Sequence, residues 1–366
     1  MNHERTSLRI GTSETHLTLL PKFWHAFQAT ILALLLTQVA FADEAPKALS
    51  VPSVGQIFRA TDTLVLDAET NADAKDCLAG LRWTPAPFEV QCEPAAEDRG
   101  DMLVRFPSPL PAGDPVNDNV SMEWYVARDA DRKPMRAHPM IIVHESGRGM
   151  TVGRIFAKGL QAQGFHTFLI HLPGYGARKS ELSGKTEMIL QGMRQAIGDV
   201  RRAKDAAVSL PLVDGSRVGI QGTSLGGFIT STVAGVDRGF DRVFILLAGG
   251  NLHQVVLNGT KDAAKARERL EALGFNAEKI EDLSRPVEPL RLASRINPQT
   301  TWLYSGKYDD VVPPACSFAL ADAAKLPAGH HIELLADHYS GVVFLPMVIV
   351  EIRKRMLDDE AETLNP

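Results

Sequence analysis

The 366-residue sequence is 45% hydrophobic, 23% charged and 7% aromatic, with 29 glycines and 22 prolines, a globular composition that excludes collagen-like, low-complexity and largely disordered chains. The formal net charge of −5, from 39 Lys and Arg against 44 Asp and Glu, gives no indication of the basic stripe typical of nucleic-acid-binding proteins. Three cysteines are too few for a disulfide scaffold or a zinc ribbon.

The first 42 residues have the segment order of a secretory signal. Basic residues precede an apolar stretch at 31–36, and Ala40-Phe41-Ala42 provides the small residues that precede a cleavage site. Polar residues interrupt the run of about 20 apolar residues that a spanning helix needs. We therefore expect a signal peptide over 1–42, export to the periplasm or the extracellular space, and no stable membrane span after cleavage.

Residues 43–98 contain a strand-like segment at 63–69 and two cysteines, but no repeated β–α pattern. We interpret them as an N-terminal extension of a catalytic domain over 99–366. In an oxidising compartment Cys77 and Cys92 are expected to form a local disulfide, the alternative being two separately buried thiols. Cys316 stands alone in a predicted helix and is expected to be a small core residue.

From about residue 102 onwards, strand-like and helix-like segments alternate, which predicts an α/β fold with a mainly parallel sheet covered by helices on both faces. Strands are predicted at 102–106, 120–128, 140–144, 166–172, 217–222, 241–250, 300–306 and 331–337. Helices are predicted at 152–163, around 190–207, after residue 226, at 316–325 and at 346–357. The charged, helical stretch at 251–296 separates two strands and is predicted to be a cap inserted over the site, although its charges also fit a solvated helix face.

The segment Gly222-Thr223-Ser224-Leu225-Gly226 contains the pattern G-x-S-x-G between a buried strand and a helix. A serine at such a turn is held in strained backbone geometry with its hydroxyl raised above the sheet. Glycines are needed two residues to either side because a Cβ there would strike a neighbouring strand or helix. The helix that follows directs its free N–H groups towards charge developing near the serine.

This region resembles the α/β-hydrolase-fold serine hydrolases of the esterase and dienelactone-hydrolase type, and the resemblance extends from about Met102 to Leu357. It implies that an acid and then a histidine follow the nucleophile Ser224, each in a loop after a strand. The acid loop at 305–313 assigns the first role to Asp309, with Asp310 as its immediate rival. His338, after the last strand, is the expected base.

Other histidines are less well placed for the base. His330 and His331 precede the last strand and are expected at the opposite edge of the sheet. His144, His171 and His253 follow strands and are candidates for the pocket wall.

The resemblance also implies an oxyanion hole. One donor is the backbone N–H of Leu225, and the other comes from the loop at 144–149, which is similar to the family's His-Gly-x-Gly loop but has Glu145 at a usual glycine position. Either Glu145 or Ser146 supplies this second N–H, and we favour Ser146. We further expect Arg148 to pair with the carboxylate of Glu145. Expected substrate-binding residues are His144, Glu145 and Gly249.

The leading interpretation is a secreted serine hydrolase that cleaves a small-molecule carboxylic ester through an acyl-enzyme intermediate. The alternatives are a peptidase or amidase of the same fold and a non-catalytic secreted binding protein. The sequence has no His-Glu-x-x-His, no paired Cys-x-x-Cys and no phosphate-binding glycine loop, so no metal, cofactor or nucleic-acid partner is expected. The oligomeric state is not specified by the sequence.

Overall fold

Strands whose side chains are buried on both faces form the centre of the protein. The structure is a computed structural model that describes residues 50–181 and 187–358; the predicted signal peptide lies outside these residues. The described part contains one ten-stranded sheet in the order β1-β2-β3-β4-β6-β5-β7-β8-β9-β10. Its strands are β1 (Ile57–Ala60), β2 (Phe88–Pro94), β3 (Met102–Pro107), β4 (Asn119–Tyr125), β5 (Pro139–Val143), β6 (His166–His171), β7 (Gly219–Thr223), β8 (Arg242–Leu246), β9 (Thr301–Gly306) and β10 (His331–Leu334).

The strands from β5 to β10 are parallel to one another, whereas β1 to β4 pair antiparallel and β4 runs antiparallel to β6. Every residue of β5 is buried, which explains its continuous apolar sequence. Parallel strands place their carboxyl ends at one edge of the sheet, where ligands bind in open α/β folds.

Helices cover both faces of the sheet, as the sequence predicts. Alternate residues of β5 belong to different cores: Ile141 packs in a core with the helices at 187–208, 225–237 and 314–323, and Ile142 in a core with the helices at 151–162 and 345–357. None of the described helices is long and apolar enough to cross a membrane. The helices are α1 (Ala72–Ala79), α2 (Pro115–Asp118), α3 (Thr151–Ala162), α4 (Glu187–Val208), α5 (Leu225–Asp237), α6 (Leu252–Asn258), α7 (Lys261–Ala272), α8 (Ala277–Ser284), α9 (Pro314–Ala323) and α10 (Leu345–Leu357).

The N-terminal segment extends the sheet rather than standing apart from it. Strand β2 pairs with β3 across the boundary predicted near residue 98. The predicted strand at 63–69 is wrong, because this segment has no regular structure. Its backbone is held by side chains instead: the N–H of Thr63 donates to Asp205 at 2.9 Å, and that of Val65 donates to Asp237 at 3.2 Å.

The predicted Cys77–Cys92 disulfide is also wrong, since all three cysteines are buried free thiols. Cys77 lies on α1, where its thiol is 3.5 Å from the Pro286 carbonyl oxygen, and Cys92 lies on β2. Burial raises the pKa of each of these two thiols to about 11, which disfavours the reactive thiolate. Cys316 is buried on α9, as expected of a core residue.

The segment at 251–296 contains α6, α7 and α8 followed by three short 3₁₀ turns. The residue before α7 contacts the loop after β9: the N–H of Thr260 donates to the Asp310 carbonyl at 2.8 Å. The insertion therefore contacts the loop predicted to carry the acid.

Candidate active site

Ser224 occupies a sharp turn between β7 and α5. Its backbone angles are φ 53° and ψ −116°, a sparsely populated conformation for a residue with a side chain. Strain of this kind persists only where the surrounding structure imposes it, and it is concentrated at functional sites.

Two glycines make this turn possible. A Cβ added to Gly222 would lie 2.2 Å from the carbonyl oxygen of Gly226, and one added to Gly226 would lie 2.1 Å from the carbonyl oxygen of Val143. Helix α5 therefore approaches the ends of β7 and β5 more closely than any side chain permits, and the strained serine is fixed between backbone segments.

A continuous hydrogen-bonded chain joins Ser224, His338 and Asp309. The Ser224 Oγ lies 2.9 Å from His338 Nε2, and His338 Nδ1 lies 2.7 Å from Asp309 Oδ2. The side chains of His338 and Asp309 are only 8% and 2% exposed. An ionised carboxylate only accepts hydrogen bonds, so Nδ1 carries the proton and the unprotonated Nε2 is free to accept the serine hydroxyl proton.

The two adjacent aspartates point in different directions. Oδ1 of Asp309 accepts the N–H groups of Val311 and Val312 at 2.9 and 2.8 Å, which leaves Oδ2 facing the histidine. Asp310 instead lies 3.2 Å from the ammonium of Lys261, and this hydrogen bond holds the pKa of its carboxyl below the usual range. The buried partner of His338 is therefore Asp309.

The other histidines lie in unrelated environments. His330 stacks on Trp302 with ring centroids 4.8 Å apart, and His331 Nε2 is 2.8 Å from Ser305 Oγ. His171 is buried with its Nε2 3.1 Å from a Glu123 oxygen, and His253 lies on α6.

Glu145 supports the start of α3 rather than pairing with Arg148. Its two carboxylate oxygens accept the N–H groups of Val152 and Gly153, each at 3.1 Å. The first N–H groups of a helix have no intrahelical partner and attract negative charge. The expected Arg148 pairing is thus replaced by helix capping, which directs this carboxylate to the helix.

His144, predicted to bind substrate, is fully buried and does not line the cavity beside Ser224. Its Nδ1 donates to the Glu145 carbonyl at 2.6 Å, and its Nε2 accepts the N–H of Leu172 at 3.2 Å. Burial lowers the pKa of His144 to about 3. The ring is therefore a neutral structural link between the loops after β5 and β6.

Gly249, also predicted to bind substrate, is buried and does not line the cavity beside Ser224. A Cβ there would lie 2.4 Å from the backbone carbonyl atoms of Cys316, because the chain passes closely over α9. The glycine is required by this approach.

Sequence reasoning missed Tyr175, which shapes the loop after β5. Its hydroxyl donates to the Ser146 carbonyl at 3.0 Å, and its ring centroid lies 4.7 Å from that of His144. Its position in the loop after β6, at the carboxyl edge of the sheet, was the available signal.

A cavity of about 190 Å³ opens beside Ser224 and His338. Of the other predicted site residues, Glu145 and Ser146 line it. Asp262 of α7 and Tyr339 also line it, and the sequence provided no signal for either. Among the described residues, no group of three or more His, Cys, Asp or Glu side chains is arranged to hold a metal ion.

Comparison with known proteins agrees with this architecture. Residues 157–342, just over half of the chain, match the model of the prolyl oligopeptidase family. The fold is similar to that of an acetyl xylan esterase from Paenibacillus sp. R4, with a TM-score of 0.57, 17% identity and coverage of 80% of this chain and 96% of that one. The acetyl xylan esterase 1 from a Thermoanaerobacterium species gives a TM-score of 0.53, 17% identity and coverage of 81% and 96%.

A puromycin-hydrolysing peptidase from Mycobacterium tuberculosis is also similar, with a TM-score of 0.50, 17% identity and coverage of 73% of this chain and 44% of the peptidase. The search of curated proteins finds no match. At these identities the structural likeness shows the fold, which is the α/β-hydrolase fold predicted from the sequence.

Proposed function

The chain belongs to the prolyl oligopeptidase family and is an α/β-hydrolase-fold serine hydrolase, and from this premise we propose that it cleaves carboxylic esters through an acyl-enzyme intermediate on Ser224. The hydrogen-bonded chain from Ser224 through His338 to Asp309 carries the proposal. Nucleophile, base and orienting acid are the three parts that such chemistry needs.

In the first half of the reaction, Ser224 Oγ attacks the carbonyl carbon while His338 Nε2 takes the hydroxyl proton. Asp309 stabilises the resulting imidazolium and keeps Nδ1 protonated. The tetrahedral intermediate collapses when His338 returns the proton to the departing alkoxide oxygen, which releases the alcohol. Water, deprotonated by the same histidine, then attacks the acyl-enzyme, and His338 returns that proton to Ser224 Oγ as the acid leaves.

The oxyanion is assigned to two backbone N–H groups. Leu225 is the first residue of α5, so its N–H has no intrahelical partner. Ser146 supplies the second donor, and its position on the cavity wall supports this role. His144 donates a hydrogen bond to the carbonyl of Glu145. Because the peptide bond is planar and trans, the N–H of Ser146 points away from that carbonyl.

The share of each similar structure that this chain spans supports an ester as the substrate. The chain spans 96% of each acetyl xylan esterase but only 44% of the peptidase. Family membership nevertheless favours a second candidate, cleavage of an amide or peptide bond by the same three residues. An amide differs in needing a protonated nitrogen leaving group.

Paired substrates separate the two candidates. We expect turnover of 4-nitrophenyl acetate, far slower turnover of 4-nitroacetanilide, and a loss of about 10⁴-fold or more in Ser224→Ala. Ser216→Ala, an exposed serine in the turn before β7, is the matched control and should retain full activity. Faster cleavage of the anilide would favour the amidase, and ester turnover unchanged in Ser224→Ala would refute the proposal.

We also propose that the protein is exported after removal of residues 1–42, on the strength of the signal-like sequence alone. N-terminal sequencing of protein from the culture medium or periplasm tests this. A mature chain beginning at Asp43 is expected, and an intact N-terminus on protein retained inside the cell would contradict export.

A further inference from the structure

The cavity beside Ser224 has an apolar inner end, and we propose that it binds a neutral apolar group of about six carbons carried by the ester. This inference rests on the proposed function and specifies its substrate class. It extends the site beyond the acetyl group named for the similar esterases.

The inner wall consists of buried aliphatic side chains from three elements. The end of β8 and the residue after it, the end of β10, and the N-terminal half of α10 contribute one or two each. These side chains are Leu246, Leu247, Leu334, Leu345 and Val348. A wall of this kind offers dispersion contacts and no hydrogen-bond partners, so it selects an apolar group.

The exposed lining residues define where the ester enters. Tyr339 and Val342 are 47% and 46% exposed, and Ser146 is exposed too. An ester whose carbonyl sits at Ser224 therefore has one substituent directed towards the aliphatic wall and the other towards solvent.

The size of the cavity sets the length of the group. In other proteins a cavity of about 150 Å³ lined by aliphatic and aromatic residues stays dry and binds benzene, and this one measures about 190 Å³. An acetyl group would leave most of that space without contacts. Because each buried methylene contributes about fourfold in binding, extending the group from two to six carbons is expected to raise kcat/KM at least tenfold.

Charge on the group is excluded by the same wall. A terminal carboxylate would lose its hydration without gaining a partner, and the cavity already contains the Asp262 side chain. Hydrogen bonding to Tyr339 and Lys265, which outweighs the opposing effect of burial, lowers the pKa of Asp262 and keeps it ionised at neutral pH.

Two ester series test the proposal and identify which substituent enters. The first varies the acyl group in 4-nitrophenyl acetate, butyrate and hexanoate, with the 4-nitrophenyl half-ester of adipate as the charged counterpart. The second varies the alcohol in ethyl, butyl and hexyl acetate. We expect kcat/KM to rise at least tenfold along one series, which assigns the cavity to that substituent. If the acyl series rises, the adipate half-ester should be at least tenfold poorer than the hexanoate.

A cavity-filling variant links this preference to the cavity. Val152 lies on α3, is only half-buried, and lines the cavity, so Val152→Phe adds bulk from a tolerant side. The ratio of six-carbon to two-carbon kcat/KM should fall at least tenfold in Val152→Phe. It should not change in Ile155→Phe, a control on the same helix whose side chain is 39% exposed.

Flat rates along both series, or a ratio unaffected by Val152→Phe, would overturn the assignment. If acetates are hydrolysed in a Ser224-dependent manner while both series stay flat, only the substrate class fails. Absence of Ser224-dependent turnover with every ester would refute the proposed function itself.

Discussion

The hydroxyl of Tyr339, the residue after the proposed base, donates a 2.9 Å hydrogen bond to the carboxylate of Asp262 at the start of α7. The neighbouring Lys261 pairs with Asp310, the residue after the proposed acid, at 3.2 Å. The Lys261 ammonium also lies 4.9 Å from the centre of the Tyr339 ring. The first turn of α7 therefore contacts both loops that carry groups partnering the serine.

This contact predicts that the insertion helps to position the histidine. Tyr339→Phe removes the hydrogen bond to Asp262, and one such bond contributes about 1 kcal/mol to holding the two groups together. We therefore expect kcat to fall about fivefold and KM to change less. Asp262→Ala should have a similar effect, and the double variant should be no worse than the more severe single one, because both remove the same interaction.

Tyr308→Phe, an exposed tyrosine in the acid loop, is the matched control and should be neutral. Strictly additive losses in the double variant would show that Tyr339 and Asp262 act independently.

The two aspartates should differ sharply in mutagenesis. Asp309→Asn replaces the acceptor that fixes the histidine tautomer and is expected to lower kcat by about 10⁴-fold. Asp310→Asn weakens an exposed ion pair with Lys261 and should cost less than about threefold. Steady-state kinetics on one activated ester measures both, and the reverse order would reassign the acid.

The close backbone contact at the serine turn predicts a large cost for one methyl group. Gly226→Ala places a Cβ 2.1 Å from a carbonyl oxygen and is expected to lower the free energy of unfolding by about 3 kcal/mol or more. Gly192→Ala is the control: its Cβ would have one ordinary contact at 3.9 Å, to Pro173, and on helix α4 it should stabilise by about 0.5–1 kcal/mol. Equal urea midpoints for the two variants would contradict the geometry.

His166 predicts how stability depends on pH. Its Nδ1 accepts the N–H groups of Trp124 and Ala127, and its Nε2 donates to the carbonyls of Met135 and Leu212. These partners fix the neutral ring, and burial lowers the pKa of His166 to about 4.

In the unfolded chain the same ring has a pKa of about 6.5, so the unfolded state binds more protons as the pH falls below 6.5. The contribution of His166 to stability is therefore fully present above pH 6.5 and is lost as the pH falls towards 4. At pH 5 the loss is about 2 kcal/mol. Urea unfolding measures the free energy of unfolding at pH 7.5 and at pH 5. The difference between these two values should be about 2 kcal/mol smaller in His166→Gln than in the unchanged protein. His253→Gln should leave the difference unchanged. A ring that protonates near pH 6.5 in an NMR titration of the native protein would contradict the account.

Periodicity predicted most of the parallel half of the sheet because β5 to β9 are short strands with every residue buried, and helices separate them along the chain. The prediction over 63–69 failed because the consecutive apolar residues there do not face the core together: Leu64 is buried, but Val65 and Leu66 are more than half exposed. Carboxylates more than a hundred positions along the chain hold this backbone, and no local pattern encodes that. The prediction of a Cys77–Cys92 disulfide failed for a related reason, since each thiol is buried like an apolar side chain in its own element.

At the site, residues within one motif were predictable, because Ser224 and its flanking glycines satisfy a single local turn. Contacts made by the insertion were not, since the partners of Asp262 and Lys261 are far away in the sequence. For Glu145 the sequence identified the residue but not its partner, which is the start of helix α3 and not a cation.

Covalent labelling of Ser224 is the most direct test of its proposed role as the nucleophile. A fluorophosphonate should add one equivalent, and peptide mapping should place it on Ser224 Oγ. Ser224→Ala should not be labelled, and His338→Ala should be labelled at least 10³-fold more slowly, because the hydroxyl has lost its base. An adduct on a different residue, or equally fast labelling of Ser224→Ala, would show that Ser224 is not the nucleophile.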